Sequence, residues 1–156
     1  MSAQPGPSIP IIRGMLPADL DVITGIEERT YDFPWGRGIF SDCLMAGYLC
    51  VVLDDISDVI GYAIISIAAA EGHILNLCVD APMQRQGLGR QMLEYLLDQC
   101  EQMGVERLFL EVRPSNEAAI KLYEQAGFST LGVRKEYYKA VAGREDALVL
   151  VYDFPA

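Results

Sequence analysis

Basic residues, histidine and long apolar runs are all scarce in this chain of 156 residues. Lysine and arginine number 12 against 22 aspartates and glutamates, a net charge of −10. That acidic excess argues against a broad grip on nucleic acid, which needs clustered cations to displace counterions from phosphates. One histidine and four cysteines (Cys43, Cys50, Cys78 and Cys100) are too few and too widely spaced for a Cys/His metal centre or a CxxC redox pair. No metal is therefore expected, and the cysteines read as free buried thiols in a reducing cytosol. The longest apolar stretch, residues 59–70, is interrupted by Gly61, Tyr62 and Ser66 and bounded by Asp58 and Glu71. A bilayer span takes about 20 apolar residues, so this stretch reads as a core strand and no membrane role is expected. The N-terminus carries no basic patch ahead of an apolar run, so no secretory leader is read and a cytoplasmic location is expected.

Hydrophobic residues make up 51% of the chain and charged residues 22%, enough for a real core and of a size for a single domain, residues 1–156. The charge is uneven. Residues 1–78 hold 3 basic and 10 acidic side chains, and residues 79–156 hold 9 and 12. A cationic partner would be drawn to the first half, although an acidic surface also serves plain solubility.

The first ten residues, with Pro5, Pro7 and Pro10, read as a loose lead-in. Ile11 and Ile12 suggest a short strand. Pro17 then opens a helix with Leu20, Ile23 and Ile26 on its apolar face. A loop at residues 30–36 carries three aromatic rings, and Phe40 and Leu44 share one face of a second helix. Strand patterns follow at 48–53, 59–67 and 73–80, after which the period changes. Residues 87–103 read as a helix with Leu88, Met92, Leu96 and Cys100 spaced by four, ending at Gly104. Residues 107–112 are a strand. Ser115 is expected to cap a helix running to Ala126, with Gly127 ending it, and strands at 128–133 and 147–152 complete the chain. The fold class is α+β: an antiparallel sheet with a βαβα insertion and helices on both faces.

The segment Gln84-Arg85-Gln86-Gly87-Leu88-Gly89-Arg90 follows a strand and opens a helix. Its glycines permit close backbone approach, and the first helical N–H groups lack internal partners. With the helix dipole and two arginines they can cradle a pyrophosphate; the alternative, a glycine-rich N-cap without ligand, is made less favoured by the preceding strand and the arginines. The spacing matches neither a Walker loop nor the GxGxxG of a dinucleotide fold. In the 107–112 strand, Leu108, Leu110 and Val112 share one face, and Phe109 and Glu111 the other. Glu111 is then either at a solvent edge or in a cleft with a raised pKa suited to proton transfer. Tyr123, beside Ala119, Ile120 and Ala126, fits core packing, and its hydroxyl needs a partner if buried. His73 has no second histidine near it and reads as structural.

Asn76-Leu-Cys-Val-Asp80, the Gln84–Arg90 turn, Leu110-Glu-Val-Arg-Pro-Ser-Asn116 and Leu122-Tyr-Glu-Gln-Ala-Gly-Phe128 together resemble the GNAT superfamily of acetyl-CoA-dependent N-acetyltransferases. Within it, Ile26-Glu-Glu-Arg29, Phe33-Pro-Trp35, Glu111–Asn116, Arg134-Lys-Glu-Tyr-Tyr138 and Gly143-Arg-Glu-Asp-Ala147 resemble the RimI type, over roughly residues 16 to 150. That type acetylates the N-terminal alanine of small-subunit ribosomal protein eighteen. The resemblance implies a GNAT fold, with a mixed, mostly antiparallel sheet of about six or seven strands. It implies that Leu77, Cys78 and Val79 line the acetyl-CoA arm, with the Val79 N–H facing the thioester oxygen. Arg85, Gln86, Gly87, Leu88, Gly89 and Arg90 would hold the pyrophosphate, and Asn116 would touch the arm. Glu111 would be the general base and Tyr123 the general acid. Direct attack in a ternary complex leaves the cysteines without a role. The longer N-terminus and Met83 depart from the pattern without removing a catalytic group. Phe33, Trp35, Tyr137 and Tyr138 are candidate walls of a peptide groove; for any one of them a core role is the plainer reading.

The expected partner is the N-terminal peptide of a small-subunit ribosomal protein, with no direct nucleic-acid or membrane contact, on a monomer or weak oligomer. The alternatives are a GNAT enzyme acting on a small amine or a lysine side chain, and a CoA-binding subunit without turnover.

Overall fold

The computed structural model describes residues 10–84 and 86–156. The expected lead-in lies almost wholly outside them, as does Arg85. The chain forms β1 (Ile11–Gly14), a 3-10 turn (Pro17–Asp19), α1 (Leu20–Thr30), α2 (Arg37–Met45), β2 (Leu49–Asp54), β3 (Val59–Ala68) and β4 (Glu71–Val79). A second 3-10 turn (Ala81–Met83) leads to α3 (Leu88–Gln102), β5 (Arg107–Val112), α4 (Glu117–Ala126), β6 (Ser129–Ala140) and β7 (Gly143–Asp153). The strands make one seven-stranded sheet in the order β1-β2-β3-β4-β5-β7-β6. Every neighbouring pair is antiparallel except β4 with β5. The GNAT fold expected from the motifs is thus the fold observed.

Alternation along the strands builds a core on each face of the sheet. In β2, Val51 and Leu53 pack with α3 on one face, while Cys50 and Val52 pack with α1 and α2 on the other. Strands covered on both sides read as near-continuous apolar runs, which is why β2 and β3 stand out in the sequence. Each fully buried Leu or Ile contributes about 1.5–3 kcal/mol. The predicted apolar faces of α1 (Leu20, Ile23, Ile26) and α3 (Leu88, Met92, Leu96, Cys100) are buried. Gly127 ends α4 at φ +111°, a backbone conformation that favours glycine, and a Cβ there would stand 3.0 Å from the Tyr152 ring and press it aside by a few tenths of an ångström.

Two expectations need correction. Ser115 does not cap α4. Asn116 is the N-cap, its side chain accepting from the Ala119 N–H at 3.2 Å, while the Ser115 hydroxyl donates to Glu145 at 3.1 Å. The last two strands are also much longer than the expected 128–133 and 147–152. A bulge hides them. Arg134 pairs with Ala147 and Tyr138 with Glu145, so three β6 residues face one of β7. Glu136 takes φ +50° there, and its N–H donates to Asp146 at 2.9 Å. The extra residues break the two-residue period on which the strand reading depends.

The feature that positions the site is the junction of β4 and β5. They pair only from Glu71 opposite Arg107 to Ile74 opposite Leu110. Leu75 is an extra residue against β3, where Ile64 faces Asn76 and Ile65 faces Ile74. Past this bulge the parallel pairing stops and a gap opens in the middle of the sheet.

Candidate active site

A cleft of about 800 Å³ occupies that gap. Its walls come from the loop between α1 and α2, the unpaired stretch of β4, the end of β5, the start of α4 and the β6–β7 hairpin. Of the predicted residues, Leu77, Glu111, Asn116, Tyr123, Phe33, Trp35, Tyr137 and Tyr138 all line it.

Beyond the end of β4, after the 3-10 turn, lies the glycine turn. Gly87 takes φ +75° with nothing within 4 Å of where a Cβ would sit. The first bond within α3 runs from the Gln91 N–H to the Gly87 carbonyl. The N–H groups of Leu88, Gly89 and Arg90 therefore have no intrahelical partner. Among the described residues no side chain caps this helix, and no acidic residue occupies its first turn, in contrast to α4. An open backbone, unpaired donors and a positive helix end fit a pyrophosphate. The Leu88 side chain is buried in the core, so it offers only its backbone. The Arg90 guanidinium is exposed and pairs with Glu94 one turn along at 3.0 Å.

The β4 backbone supplies a second row of donors. The Asp80 N–H bonds the Ile60 carbonyl at 2.8 Å. Antiparallel alternation then turns the Cys78 and Asn76 N–H groups toward β3, and the Val79 and Leu77 N–H groups away from it, toward the gap. Gln84 donates to the Val79 carbonyl at 2.9 Å and holds this end of the strand. The Cys78 side chain points the other way, into the core beside α1, with its sulfur 3.9 Å from the Thr30 hydroxyl. Burial pushes its thiol up, partly offset by Tyr62, Tyr31 and Thr30, so it stays protonated and is no nucleophile.

Glu111 is neither at an open edge nor raised. Its side chain is 9% exposed, and it takes one donor on each oxygen: His73 Nε2 on Oε2, and Arg134 Nη1 on Oε1 at 2.9 Å. Burial pushes its carboxyl up, but the hydrogen bonds from His73 and the Arg134 guanidinium outweigh that and hold it below the ordinary carboxylate value. Tyr123 is buried, its ring edge-on to Phe128 at 5.4 Å, and burial pushes its hydroxyl up.

The bulge in β6 aims the two tyrosines. The Arg134 guanidinium lies 4.7 Å from the Tyr137 ring, Tyr137 meets Tyr138 at 4.8 Å, and the Arg113 guanidinium lies 4.4 Å from Tyr138. Arg113 also pairs with Glu145 at 3.3 Å, which ties the end of β5 to the hairpin. On the facing wall, Phe33 is exposed, while Trp35 is partly buried against Phe40 at 5.3 Å.

The sequence reading assigns Glu27 no role, yet it organises this wall. It is 3% exposed and accepts from the Tyr62 hydroxyl (2.7 Å), Asn76 Nδ2 (2.9 Å) and the Trp35 N–H (3.0 Å). One carboxylate thereby binds β3, the β4 bulge and the α1–α2 loop. Leu20, Ile23 and Glu27 are spaced three and four apart, so its place on the buried face of α1 was open to inspection. His73 carries no such local signal, because its contact with Glu111 depends on the register of two strands far apart in sequence.

Residues 20–128 match the acetyltransferase (GNAT) family. The [ribosomal protein bS18]-alanine N-acetyltransferase of Escherichia coli K12 is 42% identical over 132 residues, covering 85% of this chain and 89% of that protein. The crystal structure of the Escherichia coli ribosomal-protein-S18-alanine N-acetyltransferase superposes with a TM-score of 0.89 at 38% identity, covering 95% of this chain and 96% of the other. The Salmonella typhimurium protein yncA, solved with acetyl-CoA, shares the fold at 20% identity and a TM-score of 0.81, over 96% of each chain.

Proposed function

The chain belongs to the acetyltransferase (GNAT) family, whose members take acetyl-CoA as cosubstrate, and we propose that it acetylates a protein N-terminus, the terminal alanine of ribosomal protein bS18. The observation that carries this reading is the convergence of two surfaces on one gap. The unpaired stretch of β4 borders it on one side, with the glycine turn following beyond the end of that strand, and carboxylates and aromatic walls border it on the other.

Each residue then has a task. Backbone N–H groups from Leu88 to Arg90 hold the pyrophosphate, with Gln86 and Gly87 shaping the turn, and Arg85 adds charge by its place in the motif. The Leu77 and Val79 N–H groups face the acyl arm, and Val79 stabilises negative charge developing on the thioester oxygen. Asn116, besides capping α4, borders the arm at the cleft wall. Phe33, Trp35, Tyr137 and Tyr138 enclose the incoming peptide end.

An α-amine has a pKa near 7.7–8.0, so much of it arrives as ammonium. Forming the amide removes two protons from that nitrogen. One ends on the departing CoA sulfur and the other leaves for solvent. Glu111, ionised across the neutral range, attracts the ammonium and accepts its proton directly or through a water. Because its carboxyl sits low, it holds that proton briefly and passes it on. Tyr123 donates to the sulfur as the thioester bond breaks. Burial raises its pKa, so the phenol keeps its proton until that step.

The test is transfer from labelled acetyl-CoA to an alanine-initiated basic peptide, followed by mass spectrometry. Label on the α-amine is expected. Equal transfer to the same peptide with a blocked N-terminus, or preferential transfer to polyamines or aminoglycosides, overturns the acceptor assignment. Absence of transfer to any amine, with acetyl-CoA bound, leaves a CoA-binding subunit instead.

A further inference from the structure

The only histidine in the sequence lies outside the cleft and against its carboxylate. His73 pairs with Phe109 across the parallel β4–β5 junction, and Glu111 leaves β5 two residues further on from the same face. Glu111 borders both the cleft and a second depression of about 510 Å³ further out on that face. His73 borders the depression and not the cleft. The two donors to Glu111 differ in kind. Arg134 reaches Oε1 with a long, exposed side chain that also stacks on Tyr137, so it moves with the acceptor wall. His73 has a short stem, rooted where β4 is paired on both sides.

We propose that His73 is a positioning residue for acetyl transfer: gripping Oε2 of Glu111 from the outer depression, its Nε2–H keeps the carboxylate turned toward the acceptor amine. The inference rests on the reading of Glu111 as proton acceptor. With one donor on each oxygen, the carboxylate keeps further lone pairs for a proton or water from the cleft. A neutral imidazole donating from Nε2 leaves Nδ1 to the depression. Protonation at Nδ1 keeps the bond and turns it into an ion pair, which weakens Glu111 as a base. The charged groups facing His73 are Glu71 on its own strand, Glu111 on β5 and Arg134 on β6; β3 and β7 contribute the neutral Ser66 and Val149.

The experiment measures kcat and KM from about pH 4 to 9, so that the carboxylate's own acid limb is reached, with acetyl-CoA and the alanine-initiated peptide. It compares the native enzyme, His73→Ala, His73→Gln, Glu111→Gln and the double variant His73→Ala with Glu111→Gln. His73→Ala is expected to lower kcat about tenfold or more with the KM for acetyl-CoA unchanged. It should also move the acid limb of kcat/KM up by about one pH unit, because the ionised carboxylate loses a donor. His73→Gln, which keeps an N–H donor, recovers most of the neutral-pH rate. In the Glu111→Gln background His73→Ala changes nothing further. An unshifted acid limb, or an equal loss in both backgrounds, overturns the positioning role while leaving Glu111 in place. A native rate in Glu111→Gln removes the proton-acceptor reading itself, and the role of His73 with it.

Discussion

Glu27 shows how one side chain can hold a catalytic wall without touching the chemistry. Its two oxygens satisfy donors from three elements, so truncation strands several polar groups at once. Glu27→Ala is expected to cost about 3 kcal/mol in chemical unfolding and to raise the KM for the acceptor more than that for acetyl-CoA, with Glu27→Gln much milder. Tyr123→Phe tests the opposite case. Its ring packing survives, so acetyl-CoA affinity should hold while kcat falls about a hundredfold; an unchanged kcat would remove the phenol from proton transfer. Asp19 offers a stability test. The Arg13 guanidinium, hydrogen-bonded at 2.9 Å, holds its carboxyl below the ordinary value, and Arg13 also reaches Asp54. A lowered carboxyl stabilises the fold above its unfolded pKa and loses that contribution as pH falls through the folded one. The Tm deficit of Arg13→Ala should therefore be largest near neutrality and shrink in acid.

The turn that opens α3 separates two uses of glycine. Gly87 is in the left-handed region, so Gly87→Ala is strained by about 1 kcal/mol and distorts the donors behind it. Gly89 lies inside the helix, where a Cβ would make ordinary contact with Leu122 at 3.6 Å. Gly89→Ala should keep the native Tm and lose acetyl-CoA affinity only through crowding of the phosphate, whereas Gly87→Ala should lose both; calorimetry of CoA binding beside a thermal melt separates them. Elements with a strong local pattern were legible before the structure. The four-residue spacing in α3, the apolar run of β3 and the parity of Leu108, Leu110 and Val112 all hold. What failed were local competitions. Ser115 and Asn116 are both good caps, and the choice between them was decided by Glu145 drawing off the serine hydroxyl. The β6 bulge erased the period that would have extended the last two strands. Glu111 was found by its face, but its environment was not, because its partners arrive from β4 and β6 through long-range register.

The whole molecule is acidic, and most of its excess charge lies in the half that carries the α1–α2 wall of the cleft. A basic acceptor is therefore expected to be captured by a field that salt screens over about 8 Å at physiological ionic strength. Raising salt should lower kcat/KM for a basic peptide while leaving the rate with a neutral alanine-initiated peptide nearly flat. A flat response for both would place recognition in the aromatic walls alone.

The strand that loses its neighbour after Ile74 has one further consequence. Along β4, amides engaged with β3 alternate with amides that face the empty lane beside β5. In heavy water, deuterium should enter this strand like teeth on a comb, fast at Leu77 and Val79 and slow at Asn76 and Cys78. Saturation with acetyl-CoA should flatten the comb.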